Sequence, residues 1–234
     1  MRGDLSALIR ERDCFLFDLD GTLVDSSPLH DRAYREALET LAPEVLPRFA
    51  YEPCKGRRTH DALRMFGIED EALVAELTEA KQAAYRRLVE SGAVQLLPYA
   101  REILETLRAR EGRLFLVTGG SARSTRAVLS ALGILEWFEQ IVTADDVANG
   151  KPAPDCWREC VARASIAPDQ ALVFEDALSG IESARAAGLA CIAVNNPALV
   201  ALPEYAGSLV DVFEAVLDSG GRKSETGGRW FQES

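Results

Sequence analysis

The sequence predicts an α/β protein: a doubly wound parallel sheet with a small all-helical domain inserted after its first strand. Three features predict it. Short apolar runs without polar alternation recur along the chain, the form taken by strands buried on both faces. Segments of helical periodicity separate most of them, and strands alternating with helices build parallel sheets. Finally, 100 residues separate Asp18 from Thr118, which end the first two runs. That is far more than a single crossover requires.

Residues 1–13 mix Arg2, Asp4, Arg10, Glu11 and Arg12 and lack the apolar core of a signal peptide. Residues 14–17 form the first apolar run, which ends abruptly in Asp18-Leu19-Asp20-Gly21. After Ser26 helical periodicity takes over. Leu29, Ala33, Ala37 and Leu41 recur at fours until Pro43 and Pro47 break the helix. A loop then leads to Thr59, the expected N-cap of a short helix through Leu63 and Phe66 to Gly67. Leu73, Leu77, Ala80, Ala84 and Leu88 mark a long amphipathic helix stopping near Gly92. Residues 27–94 are therefore expected to be all-helical, with 1–26 and 95–217 forming the α/β core.

Pro98 suits the first turn of the next helix, whose apolar stripe is Ile103, Leu104 and Leu107. Residues 114–118 read as the second strand, followed by Gly119-Gly120 and a helix carrying Val128, Leu129 and Leu132. Residues 140–143, 171–174 and 190–194 supply strands three to five, with helices over 157–164 and 179–187 between them. A weaker sixth strand is expected at 208–212. In 218–234 Gly, Ser and charge dominate, and a flexible tail is expected.

Hydrophobic residues make up 47% and charged residues 27% of the 234, an ordinary globular balance. The net charge of −11 argues against nucleic acid or an anionic membrane as partner. No stretch approaches the ~18 apolar residues of a membrane span. The five cysteines, odd in number and scattered, read as reduced thiols of a cytoplasmic protein. Cys156 and Cys160 share a helix face, but no histidine stands near them to complete a zinc set.

The chemistry-bearing residues cluster at strand ends, where an open α/β sheet binds ligands. Asp18 and Asp20 are two apart, so in extended chain both side chains leave on one side. Carboxylates that close repel unless a cation or a shared proton relieves them. The plain alternative is capping and turn duty. Thr118 with the uncluttered amides of Gly119 and Gly120 makes a phosphate cradle, or else caps a helix. Lys151, in a loop stiffened by Pro152 and Pro154, neutralises a phosphate and an aspartate, or is a free surface lysine. Glu175-Asp176 completes an oxygen-rich Mg²⁺ site with Asp18, or caps the following helix. Taken as a set the four segments are complementary. Phosphoryl transfer needs a nucleophile, a screening charge, donors to the phosphoryl oxygens and a proton for the leaving group. Asp20 should then be protonated when substrate arrives, while Asp18 is ionised and metal-bound.

The stretch Asp18-Leu19-Asp20-Gly21-Thr22-Leu23-Val24-Asp25-Ser26 resembles the first motif of the haloacid dehalogenase superfamily of phosphohydrolases and phosphomutases. Thr118, Lys151-Pro152 and Glu175-Asp176 match the other three motifs in order, and the likeness runs from residue 13 to about 213. Lys151-Pro152-Ala153-Pro154-Asp155 and Phe174-Glu175-Asp176-Ala177-Leu178-Ser179-Gly180-Ile181 look typical of its β-phosphoglucomutase-like and sugar-phosphate phosphatase branch. The resemblance implies a Rossmann-like core and makes the helical insertion a cap. It implies Asp18 as the nucleophile that forms an aspartyl-phosphate, and Asp20 as general acid/base. Thr118, Gly119, Gly120 and Lys151 would bind phosphate. Mg²⁺ would be held by the side chains of Asp18 and Asp176, the backbone carbonyl of Asp20 and, in some relatives, Glu175.

His30 and Lys81 fall where β-phosphoglucomutase carries a histidine and a lysine that meet substrate or the acid/base aspartate. Lys55-Gly56-Arg57-Arg58-Thr59-His60 resembles its substrate-specificity loop, and each basic residue there also reads as solvated surface. The mutase's phosphate-gripping arginine aligns with Thr59, one position after Arg58, a departure that leans towards hydrolysis. The expected activity is a Mg²⁺-dependent phosphatase acting, as a monomer, on a small phosphorylated metabolite of the sugar or polyol phosphate class. A phosphomutase is the near alternative, and a dehalogenase or a receiver-like or inactive binding module the remote ones.

Overall fold

The computed structural model describes residues 5–219, so the expected tail lies outside the described residues beyond its first two positions. Strands β1 (Cys14–Phe17), β2 (Arg113–Val117), β3 (Gln140–Val142), β4 (Ala171–Glu175), β5 (Ala190–Val194) and β6 (Tyr205–Gly207) form one sheet. Its order is β3-β2-β1-β4-β5-β6, and every pairing is parallel. The central strands are apolar throughout because both faces are covered. Phe15 and Phe17 of β1 enter one core cluster, while Cys14 and Leu16 enter the other. Leu114 and Leu116 of β2 divide from Phe115 and Val117 in the same way. The Phe17 and Phe174 rings stack at 4.5 Å, one residue before Asp18 and Glu175. Strand order reverses between β1 and β4, which is where a doubly wound sheet opens a crevice at its carboxyl edge.

Helices α1 (Leu5–Arg10), α5 (Ala100–Ala109), α6 (Ala122–Ala131) and α9 (Leu209–Asp218) line one face. Helices α7 (Asp155–Arg163) and α8 (Leu178–Ala187) line the other. Between β1 and β2 stand α2 (Ser27–Leu41), α3 (Thr59–Arg64) and α4 (Glu71–Glu90), with short 3₁₀ turns after α2. Tyr34, Leu38, Phe49, Leu63 and Leu77 close a separate apolar cluster there. The last turns of α4, through Ala84, Tyr85, Leu88 and Val89, pack into the main core with Leu23 and Val24. The two crossings to this helical block run side by side, Leu97 N–H donating to Leu23 O at 2.9 Å and Asp25 N–H to Gln95 O at 3.0 Å.

Three local expectations are corrected. Residues 208–212 open α9 rather than a strand. Ser208 and Asp211 form a reciprocal capping box, and Leu209, Val212, Ala215 and Val216 bury one helical face. The sixth strand is instead Tyr205–Gly207, a half-buried edge with no apolar run to announce it. Thr59 is the first residue of α3 and Arg58, at φ −63° and ψ 148°, holds the cap position. Pro98 stays outside α5, because Tyr99 takes a left-handed conformation (φ 65°) and only then does the helix begin. The Tyr99 ring lies on Phe213 of α9 at 5.3 Å, which gives this residue a packing role. Helix α1 had no prediction, since one buried residue, Ile9, makes too weak a pattern to read. The five cysteines are free thiols, and all but Cys191 are buried. Among the described residues no helix is long and apolar enough to cross a membrane.

Candidate active site

The crevice at the β1/β4 reversal holds the residues singled out at the strand ends. Asp18 extends β1 by one residue and is buried, its backbone N–H donating to Phe174 O at 3.0 Å. Lys151 Nζ lies 2.7 Å from Asp18 Oδ1, 2.7 Å from Glu175 Oε2 and 3.2 Å from Val117 O. Its other side faces the Trp157 ring at 4.6 Å. Lys151 is therefore a buried bridge between two strand ends, and the surface-lysine alternative is gone. The Lys151–Pro152 peptide is cis. Asp18, Glu175 and Asp176 each bring a carboxylate oxygen within 4.8 Å of the others. Glu175 spends both its oxygens: Oε2 on Lys151, and Oε1 on the N–H groups of Asp176 (3.2 Å) and Ala177 (3.1 Å). Asp18 Oδ2, by contrast, is buried without a protein partner.

Charge balance here is lopsided, with three buried carboxylates facing one ammonium. Burial pushes the Asp18 carboxyl well above its usual range, and the neighbouring Glu175 adds to that against the pull of Lys151. Burial, then Glu175, raises Asp176 to about 8. Burial alone would lower Lys151, but Asp18 and Glu175 outweigh it and keep the ammonium charged.

Asp20 leaves the turn in another direction and meets the helical block. Its Oδ1 lies 2.9 Å from His30 Nε2, and His30 Nδ1 lies 2.9 Å from Lys81 Nζ. An ammonium can only donate, so Nδ1 is the acceptor and the Nε2–H points at Asp20. His30 stacks on Tyr85 at 4.0 Å, and Lys81 Nζ lies 4.7 Å over the Tyr34 ring. Burial brings Lys81 down to about 8. Burial pushes Asp20 up, but His30, with smaller help from Ser26 and Lys81, outweighs it, and its carboxyl sits below the ordinary range. In the chain alone Asp18 is thus the weaker acid of the two, whereas the expectation concerns the site with cation and substrate bound. The cause is the company each keeps: Asp18 sits among carboxylates, Asp20 beside donors.

Thr118 does not cap α6; Ser121 does, its hydroxyl accepting from Ser124 N–H. Thr118 is buried and lines the crevice, and its Oγ1 accepts from Gly120 N–H at 3.0 Å. The Gly120 amide is therefore already engaged. Gly119 is needed for close approach, since a Cβ there would stand 2.8 Å from the Gly56 carbonyl of the facing loop. Of the basic loop residues, Arg57 lines the crevice with His30 and Lys81. Lys55 pairs with Glu52 at 2.9 Å. Arg58 reaches away from the crevice, its guanidinium donating to Ala148 O at 2.9 Å and to Val147 O. These contacts fasten the loop to the segment before Lys151, and Ser179 Oγ adds a bond to Lys55 O at 3.0 Å. The partly open cavity beneath measures about 50 Å³. Sequence reading missed Asn195 and Asn196, which grip the β1 turn and Asp176 from the end of β5. The available signal was two amides at the carboxyl end of a buried strand.

A buried Asp–Lys–Glu/Asp cluster lies at the reversal of a parallel sheet, facing an Asp–His pair under helices, and these are the parts that group transfer through a carboxylate needs. The chain belongs to the haloacid dehalogenase-like hydrolases, whose family model matches residues 15–194. It is 34% identical over 186 residues to fructose-1-phosphate phosphatase YqaB of Escherichia coli K12, covering 76% of this chain and 94% of that protein. With hexitol phosphatase A of the same organism it shares 37% over 188 residues, covering 79% and 83%. Its fold matches a solved hydrolase from Pseudomonas syringae with a TM-score of 0.75 at 26% identity, over 88% of this chain and 99% of that one.

Proposed function

We propose that this chain is a Mg²⁺-dependent phosphatase acting on a small sugar or polyol phosphate through an aspartyl-phosphate on Asp18. One observation carries the reading: Lys151 holds one oxygen of Asp18 while the other, Oδ2, is buried and unpartnered. A carboxylate fixed by one oxygen and free at the other suits a nucleophile. The relatives named above support the substrate class, since by name they act on fructose 1-phosphate and on hexitol phosphates.

The residues fit Mg²⁺, because the donor set is all oxygen and three carboxylates are left under-compensated by one lysine. Asp18, Asp176 and the Asp20 carbonyl would hold it, and Glu175, its oxygens already engaged, would anchor Lys151. When bound, the ion supplies positive charge that holds Asp18 ionised and screens the phosphate. Asp18 Oδ2 forms the new P–O bond as the substrate's ester P–O bond breaks. Lys151 and the Thr118 hydroxyl stabilise charge on the phosphoryl oxygens. The leaving oxygen takes its proton from Asp20. Asp20 holds that proton when substrate is bound, because the arriving dianion raises its proton affinity. His30 passes it from Nε2–H as Lys81 gives one to Nδ1, and Asp20 is left ionised once the leaving group has taken it. Asp20 then takes a proton from the water that hydrolyses the aspartyl-phosphate, restoring Asp18.

The helices over residues 27–94 would act as the cap. The cavity of about 50 Å³ is tight for a sugar phosphate, which suits a cap that moves aside for entry and release. Hydrolysis is favoured over mutase chemistry because Thr59 stands where the mutase arginine would be, and Arg58 is spent on Val147 and Ala148. The test is phosphate release from a panel of phosphorylated sugars, polyols and glycolate, with Mg²⁺, with EDTA and with Asp18→Asn. Release should require both the metal and Asp18. Release that survives Asp18→Asn refutes the mechanism, and no release on any substrate refutes the phosphatase.

A further inference from the structure

We propose that Asn195 and Asn196 are positioning residues that preset the divalent-cation site, by tying the β1 turn and Asp176 to the end of β5. The proposal rests on the Mg²⁺ reading above. Neither side chain belongs to the carboxylate cluster, yet between them they hold both loops that carry it. Asn195 Nδ2 donates to Gly21 O at 3.0 Å and Thr22 O at 3.2 Å, while its Oδ1 accepts from Leu209 N–H at 3.0 Å. Two carbonyls on one end and an N–H on the other dictate the orientation of the amide. Asn196 Nδ2 donates to the backbone carbonyl of Asp176 at 2.8 Å, and its Oδ1 accepts from Ala198 N–H at 3.1 Å.

Asn195 occupies the left-handed region at φ 58°, which asparagine tolerates better than most residues. That conformation lets the neighbouring amides reach separate loops, one ending β1 and the other ending β4. These are the loops across which like charges repel when no cation is present. They also meet closely, since a Cβ on Gly21 (φ 87°) would lie 2.2 Å from Asp176 Oδ2. A hard cation demands a fixed spacing of its oxygen ligands, and groups behind the ligands set that spacing. Removing such a support typically costs 10–100-fold in metal affinity. Asparagine suits the task because it donates without adding a charge to an already acidic cluster.

The experiment is Mn²⁺ binding to the intact chain without substrate, followed by loss of the free-ion EPR signal, with thermal unfolding in EDTA alongside. Asn196→Ser retains a hydroxyl for Ala198 N–H but cannot reach Asp176, and Asn195→Gly keeps the left-handed backbone without the amide. Each variant should weaken Mn²⁺ binding about tenfold, the low end of that range. Asn196→Ser should do so at an unfolding temperature close to the parent's. A merely structural role predicts the opposite pattern, a lower unfolding temperature with unchanged affinity. Asp176→Asn is the control. If it weakens binding while Asn196→Ser stays within twofold of the parent, the positioning role is overturned and the cation site stands. If Asp176→Asn binds as tightly as the parent, the cation lies elsewhere and both readings fall. Should Asn195→Gly fail to fold, Asn196→Ser alone decides.

Discussion

Gly180→Ala in α8 should destabilise the protein, against the ordinary preference of helices. Alanine is favoured over glycine in a helix interior by about 1 kcal/mol. At this position the added Cβ would stand 2.0 Å from Glu175 Oε2 and 2.1 Å from its carboxyl carbon. Glu175 is fully buried, so relief requires its carboxylate to shift by more than about 1 Å to reach ordinary contact. Its 2.7 Å bridge to Lys151 does not survive that displacement, and its bonds to the Asp176 and Ala177 amides are disturbed with it. Breaking a buried ion pair costs about 3–5 kcal/mol. Set against the propensity gain, a net loss of about 2–4 kcal/mol is expected. For a chain of this size that corresponds to a fall in Tm of roughly 5–15 °C. Urea and thermal unfolding in EDTA measure it without contribution from metal. Phosphatase activity should also fall at least about tenfold, because Lys151 loses the partner that aims it at Asp18. An increase in stability, as propensity alone predicts, would refute the claim that Glu175 is pinned between Gly180 and Lys151.

Asp176 makes a pH prediction. Its carboxyl is raised from 3.8 to about 8, so between those values the native state keeps a proton that the unfolded chain has lost. The metal-free protein should therefore lose stability as pH rises through that window, and Mg²⁺ should stabilise more at pH 8 than at pH 5. A Tm in EDTA that does not fall across the window contradicts the assignment. Arg58→Met removes both guanidinium bonds to the Val147 and Ala148 carbonyls. Substrate KM should rise several-fold, while Tm moves only by about 2–4 °C, as for ~1 kcal/mol. An unchanged KM would mean that this clasp does not govern how the loop sits over the crevice.

Much of this was legible in the sequence because the decisive signals are local. A strand buried on both faces must be apolar along its length, so β1, β2, β4 and β5 stand out as runs. Helix α4 stands out because Leu77, Ala84 and Leu88 recur on one face. Reading failed where an element's reason lies elsewhere in the chain. β6 is an edge strand whose three residues are half-buried, and the apolar residues after it serve a helix packed against α1 and α5. Tyr99 adopts its left-handed turn with its ring on Phe213, 114 positions away.

The candidate site divides in the same way. Asp18, Asp20, Thr118, Lys151, Glu175 and Asp176 were singled out because each follows a strand or stands in a loop beyond one. Which of them touch is another matter. Lys151 joins Asp18 across 133 positions of sequence, and Asn195 reaches Gly21 across 174. The sequence by itself determined the α/β class, the helical insertion and the types of residue available at the carboxyl edge of the sheet. Hydrophobic period and strand-end chemistry are properties of short stretches, and those stretches carry them unaided. Only the tertiary structure decided that Glu175 holds Lys151, that Arg58 clasps a loop instead of lining the crevice, and that Asp20 meets His30 while Asp18 sits among carboxylates. Those outcomes depend on distances and burial between distant segments, and both are set only when the chain packs.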